Sequence, residues 1–290
     1  MPGDASPGSS RSGPNEYRRR VIDHDAEPIA WREAGPPTGP LVVFLHGLGT
    51  TRTGWDPQLD ALADRWRCVA WDMPGYGSSP SPSRPLDFGG IADAVAGLVR
   101  DLGARSAHLV GLSFGGMHAL HTALRHPSVV RSLTLVDTSP AFGVDGRTTR
   151  DAWISARLAP LDQGMGVRDL APAVMTSIAA PGFSGPGYEM AVASMGRISE
   201  RGLRAAIHLL PDHDVRTRLG TITAPTLVVV GELDEETPPA YSAMLAEAIP
   251  DVRDHVVVAG AGHLTPLEAP ESFNALLRSF LGSLPDPETP

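Results

Sequence analysis

The 290 residues suffice for one large α/β domain or two small ones, and the 42% hydrophobic content is ordinary for a globular protein. A formal net charge of −9, with every positive side chain an Arg, leaves no basic face for nucleic acid. The single cysteine, Cys68, excludes an internal disulfide framework and points to a reducing, cytoplasmic location. No run approaches the ~20 apolar residues of a membrane span. Met1 to Pro14 is rich in Gly, Ser and Pro and lacks an apolar signal core, which predicts a disordered tail over 1–16.

In chain order, Tyr17 to Asp23 and Pro28 to Glu33 read as an antiparallel hairpin. Leu41 to Leu45 is continuously apolar, as in a strand buried on both faces, and runs into His46-Gly47-Leu48-Gly49. A helix over Asp56 to Trp66 follows, then a second buried strand, Arg67 to Trp71, ending in the tight turn Asp72-Met73-Pro74-Gly75-Tyr76-Gly77-Ser78. Asp87 to Leu102 carries Ile91, Val95, Leu98 and Val99 on one helical stripe. The run Ala107 to Val110 enters Gly111-Leu112-Ser113-Phe114-Gly115, with a helical segment from Met117 to Arg125 and an apolar strand from Ser132 to Val136 beyond.

From about 140 to 215 strands vanish, and helical pieces (148–158, 167–179, 188–197 and 203–210) alternate with Gly/Pro breaks. Strands resume at Thr226 to Val230 and His255 to Val258, each followed by a helix, 240–249 and 270–281. Strands alternating with helices predict an α/β fold with a mainly parallel sheet covered on both faces. The helical block is then an insertion over the carboxyl ends of the strands, where ligands bind in such sheets.

Gly-x-Ser-x-Gly between a strand and a helix forces the serine onto a sharp turn with its oxygen exposed. A serine there attacks a carbonyl if a base takes its proton, and the base needs an orienting acid. Ser113, Asp234 and His263 fall in the chain order associated with this turn, each at a predicted strand end. Asp137, at the end of the 132–136 strand, and Glu232, Glu235 and Glu236 are rival acids; Asp234 is favoured by the turn before Thr237-Pro238-Pro239. The Phe114 amide and one from the His46–Gly49 loop, that of Leu48, would form the oxyanion hole. His118 and His121 lack a carboxylate or Cys companion and predict no metal site, and no cofactor is required. Arg147, Arg150, Arg157, Arg168, Arg197, Arg201 and Arg204 in the insertion are mostly expected on solvated faces, though any one could fork a substrate carboxylate. Trp153, Phe142, Met165, Met175 and Met190 are candidates for an acyl pocket, and His46, Gly47 and Trp153 for substrate contact.

The His46, Asp72, Ser113, Asp234 and Gly262-His263 motifs together resemble α/β-hydrolase fold enzymes of the lidded serine type. The resemblance implies an eight-stranded sheet over 17–282, a helical lid after the sixth strand at about 140–215, and a C-terminal tail at 283–290. It implies Ser113 as nucleophile, His263 as base and Asp234 as acid. Gly49-Thr50 through Leu59, Ser113 through Met117, Trp153 and Ala224 through Pro239 resemble 3-oxoadipate enol-lactonases, which open a small carboxylate-bearing enol-lactone. The Asp72–Gly77 turn is instead similar to that of C–C bond hydrolases, epoxide hydrolases and generic esterases, and Ser113 argues against the epoxide hydrolases, which use Asp there. The expectation is a serine hydrolase of a small carboxylic ester or lactone, with no nucleic-acid or membrane partner and the oligomeric state left open. The same three residues would serve a C–C bond hydrolase or an acyltransferase, and the scaffold alone a ligand-binding receptor.

Overall fold

The computed structural model describes residues 21–25 and 28–285. The expected N-terminal tail and the first residues of the hairpin lie outside that range. The sheet has eight strands in the order β1-β2-β4-β3-β5-β6-β7-β8. The short strands β1 (Ile22–His24) and β2 (Trp31–Ala34) pair antiparallel, β2 runs antiparallel to β4 (Arg67–Trp71), and all other pairs are parallel. The central strands β3 (Leu41–Leu45), β5 (Ala107–Leu112) and β7 (Thr226–Gly231) are buried at every residue, which requires cover on both faces. Of the helices that supply it, α1 (Asp56–Leu62) packs against the short α9 (Thr265–Glu268) and α10 (Pro270–Ser283), and α2 (Phe88–Asp101) against α3 (Phe114–Arg125). The helix α8 (Pro239–Ala248) lies against β7 and β8 (Val252–Val258).

The insertion leaves the sheet after β6 (Val130–Val136) and holds four helices, α4 (Arg150–Asp162), α5 (Val167–Ile178), α6 (Pro186–Met195) and α7 (Glu200–Leu209). Its neck closes where the sequence pattern changes. Ala141 and Asp214 form an antiparallel bridge, Phe142 N donates to His213 O at 2.8 Å, and Val215 N to Pro140 O at 2.9 Å. Polar contacts tie the insertion to loops at the carboxyl end of the sheet. Thr51 N donates to Ser194 Oγ (2.8 Å) and Ser199 Oγ to Gly75 O (3.1 Å).

Three differences from the sequence reading have physical causes. Helix α1 stops at Leu62, four residues before Trp66, because the chain turns there to start β4. Strand β8 begins at Val252 and not His255: as an edge strand it exposes Arg253 and Asp254, so no apolar run marks its start. At the C-terminus α10 reaches Ser283 and Leu284 is 7% exposed, so ordered, packed chain continues past residue 282.

The Asp72 turn is built on a buried ion pair. Asp72 is fully buried and accepts from Arg52 N (2.9 Å), Arg52 Nη1 (3.0 Å) and Ser78 N (3.0 Å). Arg52 also pairs with Asp23 and Asp25, and its side chain is 1% exposed. Removing Asp72 leaves Arg52 to the half-exposed Asp23 and Asp25 and strips the Arg52 and Ser78 amides of their acceptor. Asp72→Ala is therefore expected to cost about 3 kcal/mol or more of unfolding free energy, read as the midpoint shift in urea denaturation.

Candidate active site

Ser113 stands between β5 and α3 with φ 54° and ψ −115°, a left-handed backbone that costs an L residue roughly 1–3 kcal/mol. The surrounding bonds enforce it: Ser113 N donates to Val136 O (2.8 Å), and its carbonyl accepts from Gly116 N, Met117 N and Thr138 Oγ1. The flanking glycines are a matter of space. A Cβ on Gly111 would stand 2.4 Å from Gly115 O, and one on Gly115 2.0 Å from Leu45 O.

Three side chains meet as one hydrogen-bonded chain. His263 Nε2 lies 2.9 Å from Ser113 Oγ, and His263 Nδ1 lies 3.0 and 2.9 Å from the two carboxylate oxygens of Asp234. Asp234 Oδ1 also accepts from Glu236 N and Thr237 N, both at 2.9 Å, and Oδ2 from Thr237 Oγ1 at 2.8 Å. With Asp234 an acceptor throughout, His263 Nδ1 carries a proton and Nε2 faces the hydroxyl. Burial pushes the imidazole pKa down, but the Asp234 charge and hydrogen bond outweigh it and hold it above the ordinary range. Burial likewise raises the Asp234 carboxyl, and His263 with the Thr237 donors brings it below normal.

Among the rival acids, Asp137 is also fully buried at a strand end, with φ 45°. Its oxygens face elsewhere. Oδ1 accepts from Gly231 N (3.0 Å) and Thr265 Oγ1 (2.9 Å), and Oδ2 from Thr265 N (3.0 Å). It thus clamps the loops that carry Asp234 and His263 together, and burial followed by the Asp234 charge raises its carboxyl. Glu232 Oε2 accepts from Gly260 N, Glu236 pairs with Arg157, and Glu235 is exposed.

The His46 loop is fixed by its own imidazole. His46 is fully buried; Nε2 accepts from Met73 N (3.0 Å), so Nδ1 carries the proton and donates to Gly47 O (2.9 Å). Burial drives its pKa down, which suits this neutral form. Tyr76 Oη donates to Leu48 O (3.0 Å). The loop thereby carries Leu48 and Gly47 into the wall of the cavity above Ser113. Among the described residues the Leu48 and Phe114 amides have no intramolecular acceptor.

That cavity, about 280 Å³, lies between the insertion and the strand ends. Its wall includes Gly47, Leu48, Ser113, Trp153, Met175 and His263. A second cavity, about 310 Å³, shares Ser113, Trp153, Arg157, Glu236 and His263 with it and adds Phe142, Asp145, Arg147, Glu235 and Tyr241. Of the residues expected to touch substrate, Gly47 and Trp153 line the first cavity; His46 does not, because both its nitrogens are spent on backbone inside the core. Met165 is 43% exposed, Met190 lines neither cavity, and of the seven insertion arginines only Arg157 and Arg147 reach one. His118 packs on Phe114 with ring centroids 4.1 Å apart, while His121 bonds His213 at 3.1 Å, so the pair does not converge. Among the described residues no group of three His, Cys, Asp or Glu could hold a metal, and no helix is long and apolar enough to cross a membrane.

The sequence reading missed Glu268. It accepts from Gly262 N (2.9 Å) and Ala180 N (2.8 Å) through Oε2 and from Leu264 N (2.8 Å) through Oε1. His263 N meanwhile donates to Ile178 O (3.0 Å). One carboxylate thus joins the His263 loop to the end of α5, and nothing in local sequence distinguishes it from a first-turn Glu.

An eight-stranded, mainly parallel sheet with a strained serine after its fifth strand and a helical insertion after its sixth defines an α/β-hydrolase. The chain belongs to the alpha/beta hydrolase family, whose sequence model matches residues 42–276. It is 36% identical over 220 residues to a pimeloyl-(acyl-carrier protein) methyl ester esterase of Chromobacterium violaceum, covering 73% of this chain and 83% of that protein. To 3-oxoadipate enol-lactonase 1 of Acinetobacter baylyi it is 27% identical over 267 residues, covering 91% and 97%. The enol-lactonase structure from Burkholderia xenovorans LB400 superimposes with a TM-score of 0.80 at 24% identity, covering 90% and 100%, a likeness of fold. The protein is therefore a hydrolytic enzyme of this family that resembles the enol-lactonases.

Proposed function

We propose that the protein hydrolyses a small carboxylic ester or lactone through an acyl-enzyme formed on Ser113. The observation that carries the reading is the continuous chain Ser113 Oγ–His263–Asp234 at 2.9 to 3.0 Å. In this reading His263 takes the Ser113 proton through Nε2 as Oγ attacks the carbonyl, while Asp234 holds the imidazole in the required tautomer. The amides of Leu48 and Phe114 receive the developing oxyanion, each worth ~3 kcal/mol in the transition state. His263 then protonates the leaving oxygen, which departs as the alcohol of an ester or stays on the acyl chain of an opened lactone, and activates the water that frees the acyl group from Ser113. The insertion over 140–215 acts as the lid: α4 and α5 roof the reacting serine, and α5 is bonded to the His263 loop.

The test is covalent. An aryl or fluoro-phosphonate should phosphonylate Ser113 stoichiometrically and abolish ester hydrolysis, with the adduct located by peptide mass spectrometry. An adduct on another residue, or full labelling with activity retained, overturns the proposal.

A further inference from the structure

The two cavities differ in what they offer a substrate. Three ionisable side chains reach the first: Arg157, Glu236 and His263. The rest of its wall is backbone, small polar groups and apolar side chains such as Leu112, Leu170, Val174, Met195 and Ile207. An apolar wall favours an alkyl or aryl group and charges the full cost of desolvation for an unpaired ion.

Arg157 is the single cation at the boundary between the two cavities apart from His263, and its charge is already used. Its Nη2 donates to Glu236 Oε2 at 2.9 Å, and its guanidinium lies over the Trp153 ring at 4.1 Å from the centroid. Arg147 of the second cavity is paired in the same way with Asp145. With each arginine matched to a carboxylate, Glu235 adds a further negative charge to the second cavity, and Asp234 lies just behind. A substrate carboxylate brought to Arg157 would have to displace Glu236, which is tied by its backbone to Asp234, or share one guanidinium with it. Exposed pairs of this kind are weak, so the obstacle is the crowding of like charge more than the strength of the pair. Stacking on Trp153 fixes the guanidinium plane and makes it part of the cavity wall.

We infer that the site takes esters or lactones whose acyl part is apolar and uncharged, and that Glu236, by occupying Arg157, turns away acyl groups ending in a carboxylate. The inference deepens the hydrolase reading and rests on it. The carboxylate-bearing lactone that the enol-lactonase resemblance implied is the kind of substrate this charge arrangement disfavours.

Methyl hexanoate and monomethyl adipate test it, because they have the same carbon count and differ in a terminal methyl against a carboxylate. With the full-length enzyme at low ionic strength, kcat/KM from methanol release should favour methyl hexanoate by at least about 10-fold. Glu236→Gln frees the guanidinium and should narrow that ratio by about 5-fold or more. Arg157→Gln leaves Glu236 uncompensated beside Glu235 and should widen the wild-type ratio, never narrow it. Equal or better cleavage of monomethyl adipate by the wild type overturns the inference. So does a ratio unmoved by Glu236→Gln in a variant whose melting temperature shows it folded, or a ratio narrowed by Arg157→Gln. Cleavage of neither ester, together with no phosphonate on Ser113, removes the hydrolase reading itself and this inference with it. Cleavage of both with the wrong preference removes this inference alone.

Discussion

Ser113→Ala is expected to lower kcat on p-nitrophenyl acetate by about 10⁴- to 10⁶-fold, with the fold retained. The size follows from the proposed role of the hydroxyl: in that mechanism no acyl-enzyme forms without Oγ, and the rate that survives comes from the amides of Leu48 and Phe114 acting on attack by water. The fold should survive because the lost atom makes a single bond, to His263 Nε2, worth about 1 kcal/mol. Alanine brings no relief of strain, since it meets the same Cβ constraint at φ 54°. His263 keeps its bond to Asp234 and its backbone bond to Ile178 O. Turnover by quenched assay and a melting curve on the same sample separate the two effects. Unchanged turnover in a folded variant would remove Ser113 from the chemistry.

The parts of this site that could be read in one dimension are those where local chemistry has few solutions. A serine between two glycines after an apolar strand sits on a tight strand-to-helix turn, because Gly111 and Gly115 are imposed by backbone oxygens 2.4 and 2.0 Å from a would-be Cβ. The fully buried strands β3 and β7 announce themselves as apolar runs, Leu41–Leu45 and 227–230, and β5 does so despite His108, whereas β8, half-exposed at the sheet edge, hides its first three residues behind Arg253 and Asp254. The choice of acid is a different matter. Asp137 and Asp234 both follow parallel strands; the turn before Thr237-Pro238-Pro239 gives Asp234 a preference, and the directions of the two carboxylates add what sequence lacks: one faces Nδ1 of the imidazole, the other backbone amides at 231 and 265. Glu268 and Thr237 act through contacts set by loop geometry, so spacing along the chain carries no trace of their work. The pairing of Arg157 with Glu236 spans 79 positions and belongs to the same category.

Asp234→Asn carries the second large effect, and its direction follows from which donors surround the carboxylate. Oδ1 takes two backbone N–H groups, from Glu236 and Thr237, which an amide NH₂ cannot satisfy. The asparagine oxygen must therefore occupy that side, and its NH₂ takes the Oδ2 side, 2.9 Å from His263 Nδ1 and beside Thr237 Oγ1, a hydroxyl that can turn to accept. The oxygen on the Oδ1 side is also 3.0 Å from Nδ1, but it already accepts two backbone N–H groups; with the NH₂ pressed against the imidazole at 2.9 Å, Nδ1 turns acceptor, the proton moves to Nε2, and the nitrogen facing Ser113 can no longer take a proton. A wrong tautomer of this kind costs about 10⁴-fold in kcat. The pH profile moves as well. In the proposed mechanism His263 works as a base only when neutral, so kcat/KM should rise with pH through its pKa. In the wild type Asp234 raises that pKa against the opposing pull of burial, placing the midpoint of the acid limb above 6.5, the ordinary imidazole value. Without the charge, burial acts against the weaker, more distant influence of Asp137 and Glu236, and the midpoint of the residual activity should fall by about one unit or more. Initial rates from pH 5 to 9.5 on a neutral ester, whose own charge does not change, give both midpoints. A variant whose midpoint coincides with the wild type's, or whose kcat drops less than tenfold, would take Asp234 out of its role and leave the buried carboxylate of Asp137 to supply it.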